Sequence, residues 1–230
     1  MWDDLAPSTV RSKLGSVRWQ GQNPPAWTVT LEKILLIAQD HDQKYLYSFL
    51  VEVARQELND QVGDLISLAS DSVYQSLESS LVERLMMVCE RVISDFSDRP
   101  TLYETLLTLF QEYSVLARLI AHLIDTWVNQ IATFLQNLAR DTPRLKALYR
   151  NLLGQIVVMD LREASGCQRN FIAIVTFASG LKLVYKSSSL GIQVAFEQLL
   201  LWFNQGQTLP LKFKTLKILN HDRGGWIEYV

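Results

Sequence analysis

The hydrophobic period of this chain changes once, near Gly154, and that change limits the possible folds more than any other feature. Before it, apolar residues recur at steps of three and four. Leu65, Leu68, Ala69, Val73, Leu77, Leu81, Leu85, Val88 and Val92 share one helical stripe. Val115, Leu116, Leu119, Ile120, Leu123, Trp127, Ile131, Phe134, Leu135 and Leu138 share another. After Gly154, β-branched residues crowd "QIVVMDL", "FIAIVTF" and "LKLVY", which predicts strands. The fold class expected is therefore α+β, a helical region over residues 1–152 followed by a small lobe of antiparallel sheet plus helix over residues 153–230.

Punctuation refines this outline. Residues 1–27, with Pro7, Gly15, Gly21 and Pro24-Pro25, read as irregular, with Trp2, Trp19 and Trp27 pinning parts of them. Pro100 and "TLYE" (Thr101 to Glu104) form a helix start with a capping box, and Thr142-Pro143 reads as a second helix start. Ser179-Gly180 makes a tight turn between two strands. "IQVAFEQLLLWFN" returns to helical spacing with Ile192, Ala195, Phe196, Leu199, Leu200 and Phe203 on one side, and "LKFKTLKIL" and "GGWIEYV" read as two further strands.

Composition narrows the function. A formal net charge of -2 argues against a nucleic-acid binder, although the two regions differ. Residues 1–152 hold 14 Lys and Arg against 19 Asp and Glu, net -5, and residues 153–230 hold 8 against 5, net +3. The basic cluster Lys182, Lys186, Lys212, Lys214, Lys217 and Arg223 could line an anion groove, but edge lysines of a sheet explain it better. An N-terminus with acids and no apolar run, and the isolated Cys89 and Cys167, suit a cytoplasmic protein rather than an exported one. Charged and polar residues interrupt every long apolar window, so no membrane span is expected.

No metal motif is present: His41, His122 and His221 are isolated, and neither HExxH nor CxxC occurs. His122 and Asp125 share a helix face and read as a buried hydrogen bond. Ser165, Ser187, Ser188 and Ser189 lack the context of a catalytic nucleophile, so no catalytic residue is assigned. One arrangement points to nucleotide chemistry. Lys186 ends a strand and Glu197 lies about three turns into the next helix, the layout by which kinases hold and orient the lysine on ATP phosphates. On spacing alone an ordinary solvated strand-end lysine is the favoured reading of Lys186, and no glycine-rich phosphate loop accompanies it.

Three stretches add a resemblance: "YSVLARLIAHLIDTWVNQIATFLQNLARDTP", "FASGLKLVYKSSSLGIQVAFEQLLLWFN" and "LPLKFKTLKILNHDRGGWIEYV". Residues 113–230 resemble the N-terminal dehydratase domain of class II (LanM-type) lanthipeptide synthetases. The resemblance implies a lipid-kinase-like lobe in which Lys186 and Glu197 serve ATP. It further implies Mg²⁺, phosphorylation of Ser or Thr of a ribosomal precursor peptide, and elimination to dehydroamino acids. The chain departs from the family pattern in Ser187 and Ser188, where a proline and an arginine are usual, and in "REASGCQRN", which lacks an Asp-x-His pair. The family's catalytic and metal-binding segments lie past the matching stretch. The expectation is thus a truncated or split fragment, inactive alone, whose partner is the precursor peptide or the remainder of a split synthetase. The alternative is a non-catalytic module that docks a peptide or protein.

Overall fold

The computed structural model describes residues 26–39, 45–93, 101–150, 153–163, 170–206, 211–221 and 224–230. Helices α1 (Ala26–Ala38), α2 (Leu46–Val62), α3 (Asp71–Ile93), α4 (Leu102–Glu112) and α5 (Ser114–Leu148) precede strands β1 (Ile156–Glu163), β2 (Phe171–Phe177) and β3 (Lys182–Lys186). Helix α6 (Gly191–Gly206) and strands β4 (Ile218–His221) and β5 (Gly224–Glu228) follow. The expected α+β class is observed, helices first and a sheet with its helix after. Among the described residues, no helix is long and apolar enough to cross a membrane. Residues 1–25, on which most of the expected irregular segment falls, lie outside the described residues.

The chain divides into two compact units. The first comprises residues 1–63 and 78–132. Its core is the apolar side of several helices, with Ile34, Leu35, Phe49, Leu50, Leu81, Leu85, Leu106 and Ile120 all fully buried. The capping box at Thr101 forms in its first half: the Glu104 N–H donates to Thr101 Oγ1 at 3.2 Å. On the rim, Lys33 pairs with Glu57 and Arg55 with Glu78.

The second unit, residues 64–77 and 133–230, holds one five-stranded antiparallel sheet in the order β1-β2-β3-β5-β4. The β2-β3 hairpin closes through Ser179-Gly180 as expected, with Gly180 at φ 84° and the Phe177 N–H donating to Leu181 O at 2.9 Å. Strand alternation gives the sheet two unlike faces. Phe171, Ala173, Val175 and Phe177 of β2, with Leu183 and Tyr185 of β3, are buried. Ile172, Ile174, Thr176, Val184 and Lys186 lie on the opposite, half-covered face.

Three expectations are corrected. Leu65, Leu68 and Ala69 do not extend the α3 stripe: residues 63–68 form a 3-10 turn, and α3 starts at Asp71. The backbone is diverted to the sheet there, since Ala69 bridges to Ile156 and the Ser70 N–H donates to Ile156 O at 2.9 Å. Gln155 Nε2 seals the contact on the carbonyls of Ser67 and Ala69. Thr142-Pro143 starts no helix, because α5 runs through Pro143 to Leu148. The Thr142 hydroxyl turns back to Leu138 O at 2.7 Å instead of capping, and the neighbouring Asp141 is fixed in the core. Of the strand expected over "LKFKTLKIL", only Ile218 and Leu219 enter β4, and before them side chains of α6 hold the backbone at Phe213 and Leu216. Phe213 exchanges two 2.8 Å bonds with the Asn204 amide, and the Leu216 N–H donates to Glu197 Oε2 at 2.8 Å.

Candidate functional site

Lys186 closes β3 in register with Ile172 of β2 and Gly225 of β5, so the strands on both sides fix its backbone. Alternation sends its side chain to the half-covered face, beside Ile172 and Val184, while Tyr185 goes to the core. An ammonium edged by half-exposed aliphatic side chains can take a phosphate while the sheet face takes an apolar ring. The following turn is tightly built. Ser187 exchanges two bonds with Phe171, the Phe171 N–H to Ser187 Oγ at 2.7 Å and the Ser187 N–H to Phe171 O at 3.0 Å. The Leu190 N–H donates to Asn220 Oδ1, and Ser189 Oγ takes the Gly191 N–H where α6 begins. A proline at position 187, usual in the resembled family, would forfeit the second Ser187 bond.

Glu197 is not brought to Lys186. Among the described residues the two form no ion pair, and the Glu197 carboxylate accepts from the Leu216 N–H at 2.8 Å. The basic residues do not converge either. Lys182 and Lys186 stand at opposite ends of β3, roughly 13 Å apart at the usual rise per residue. Lys182 lies over the Tyr229 ring, and Lys217 over the Tyr149 ring with its Nζ on Leu148 O. Tyr149, buried and near Glu228, has its phenol pushed up to about 12. Lys212 and Lys214 are exposed on the strap along α6, not on a sheet edge.

A buried polar cluster behind β3 escaped the sequence reading. Asp141 of α5, 1% exposed, accepts from Trp226 Nε1 at 2.9 Å and from Arg140 Nε at 2.9 Å. His221 Nε2 lies 3.0 Å from Asp141 Oδ1, at an angle that makes no hydrogen bond. Asn137 Nδ2 donates to the Tyr185 hydroxyl at 2.7 Å, and burial pushes the Tyr185 phenol above its ordinary value. Phe134 packs on Tyr185 and Trp226 with centroids 5.5 and 5.7 Å away. The cluster sets the position of β3 and hence of Lys186. A signal was present: Phe134, Leu138, Asp141 and Leu145 follow steps of four, three and four, placing an acid at a core position.

Helix α6 reverses the expected burial. Of the expected side, Ile192, Ala195, Phe196, Leu199 and Phe203 are exposed and Leu200 is half-covered, as are Gln193, Val194, Glu197 and Asn204, and no described residue of α6 is buried. The apolar side is therefore not core in this unit.

Metal donors are sparse. Among the described residues no group of three His, Cys, Asp or Glu could hold an ion. In the first unit Asp125 is half-buried and accepts from Thr30 Oγ1, while His122 is exposed, so the expected His–Asp bond gives way to a Thr–Asp one. Cys89 is fully buried, and burial pushes its thiol up to about 11, which makes it a packing residue.

A family profile described as Domain of unknown function (DUF4135) matches residues 113–230. That is just over half of the chain and includes the whole sheet and α6, so the chain belongs to the DUF4135 family. No curated protein matches the chain.

Proposed function

We propose that the sheet-bearing lobe is a nucleotide-holding module of the lanthipeptide dehydratase type. In that reading the Lys186 ammonium binds phosphate oxygens of ATP. The full enzyme activity would be phosphorylation of Ser or Thr in a precursor peptide, then elimination of the phosphate. The observation that carries the reading is Lys186 itself: a strand-end lysine without an ion pair among the described residues, on the half-covered sheet face beside Ile172 and Val184. The resemblance of residues 113–230 to that dehydratase domain supports it, as does the DUF4135 match over the same stretch.

The residues divide the work unevenly. Lys186 supplies one positive charge, and the pinned Ser187 turn keeps it in place. Glu197, bonded to the Leu216 N–H, holds the strap on α6 rather than aiming the lysine. Phosphoryl transfer depends on positioning and on neutralising charge, and one lysine supplies only part of either. The chain is accordingly proposed to hold nucleotide without turning it over by itself.

Thermal unfolding with and without Mg-ATP tests the reading. A ligand at 100 times its Kd stabilises by about 2.7 kcal/mol, and the expected gain disappears in Lys186→Ala. A melting curve indifferent to Mg-ATP, or a gain retained by Lys186→Ala, removes the assignment.

A further inference from the structure

The sheet face that carries Lys186 also carries an aromatic ring, at its other end. Register sets Lys186 of β3 opposite Gly225 of β5, Val184 opposite Ile227 and Leu183 opposite Glu228. One step on, the Tyr229 N–H donates to Lys182 O at 3.4 Å, so Tyr229 continues the ladder as the cross-strand neighbour of Lys182. Alternation puts its side chain on the side of Ile227, Val184 and Lys186, away from the buried Tyr185 and Trp226. The ring leans toward β3, since Lys182 Nζ lies 5.0 Å from its centroid. It is nonetheless 43% exposed.

Between this ring and Lys186 the face is aliphatic. Ile174, Val184 and Ile227 pair in one row across β2, β3 and β5, with Lys186 in the row on one side and Tyr229 in the row on the other. From Lys182 to Lys186 the strand rises roughly 13 Å. A cation and a π-face held apart over an apolar floor match a ligand with anionic groups at one end and an aromatic group at the other. A nucleoside triphosphate is such a ligand, with its phosphates on Lys186 and its base against the ring. Inorganic polyphosphate would satisfy Lys186 and leave the ring unused. We infer that Tyr229 contacts the base and makes the lobe select nucleoside triphosphates over inorganic polyphosphate. The inference rests on the reading of Lys186 as the phosphate-binding lysine, and the experiment separates the two.

The full chain is titrated by calorimetry with two magnesium-loaded probes, ATP and inorganic tripolyphosphate. Wild type is expected to bind ATP at least about tenfold more tightly, within what one stacked base contributes. Tyr229→Ala should lower ATP affinity about tenfold and leave tripolyphosphate within about twofold of wild type. Tyr229→Phe keeps the ring and should keep the ATP preference, whereas Lys186→Ala should weaken both ligands. Because Tyr229 is exposed and follows the last residue of β5, its variants should retain the wild-type circular dichroism. Equal wild-type affinity for the two probes, an ATP preference retained by Tyr229→Ala, or tripolyphosphate weakened there as much as ATP overturns the role of Tyr229 and leaves that of Lys186 standing. ATP binding that depends on Tyr229 but not on Lys186 keeps the base contact and removes the Lys186 reading instead. Binding of neither probe overturns both.

Discussion

Asp141 accepts the indole N–H of Trp226 at 2.9 Å, tying α5 to β5 across 85 residues of chain. A carboxylate with 1% exposure is held by what surrounds it: the indole, the Arg140 guanidinium and, 3.0 Å away, His221 Nε2. Removing one partner of a buried pair costs more than the bond is worth, because the survivor stays buried and unsatisfied. Asp141→Ala should therefore destabilise by about 2–4 kcal/mol in urea unfolding followed by circular dichroism, and Trp226→Phe by about 1–3 kcal/mol. Asp141→Asn keeps an acceptor and should fall between wild type and Asp141→Ala. If Asp141→Ala unfolds at the wild-type midpoint, the cluster does not hold β5 on α5.

Gly225 is required by close approach. A β-carbon there would stand 2.3 Å from Leu219 O and 2.7 Å from Leu190 Cδ1, and the carbonyl belongs to the paired strand and cannot swing aside. Gly225→Ala should cost about 1–3 kcal/mol, the usual range for an overpacked site. Gly191→Ala is the control. Its β-carbon would meet only Ser189 Oγ at 3.6 Å, an ordinary contact, so the change should stay within about 0.5 kcal/mol of wild type. Equal stabilities for the two variants would show that β4 and β5 can part.

These positions show what the sequence makes legible. Periodicity located the bodies of α3 and α5, and β-branched runs with the Ser179-Gly180 turn located the β2-β3 hairpin, because these are local signals. It failed where a side chain from elsewhere captured the backbone. In "LKFKTLKIL" only Ile218 and Leu219 join a strand, because Asn204 and Glu197 take the N–H groups of Phe213 and Leu216 before a neighbouring strand can. Thr142-Pro143 has a helix start's residues, yet Asp141 beside it is fixed by Trp226, and the helix continues. The place of Lys186 at the end of β3 was legible because strand position is local. The apolar side of α6 was legible as a stripe but not as an outward one, since periodicity marks a face without saying what it meets.

The last expectation concerns pH. Burial raises the Asp125 carboxyl above its ordinary 3.8, with Glu57 adding to the rise and the Thr30 hydroxyl, His122 and Lys33 pulling against it. A carboxyl raised on folding binds its proton more tightly in the folded state than in the unfolded one. Its contribution is thus fully present below pH 3.8 and is lost as pH rises through the folded pKa. Asp125→Asn removes the titration while keeping an acceptor for Thr30. The stability of wild type relative to Asp125→Asn should then fall as pH is raised from about 3 to about 7, read from urea midpoints at each pH. Thr30→Val deletes a hydroxyl that pulls the pKa down, so in that background the fall should extend to higher pH. A difference that stays flat, or grows with pH, would mean that Asp125 is held as a stabilised carboxylate and that Thr30, not burial, sets its charge.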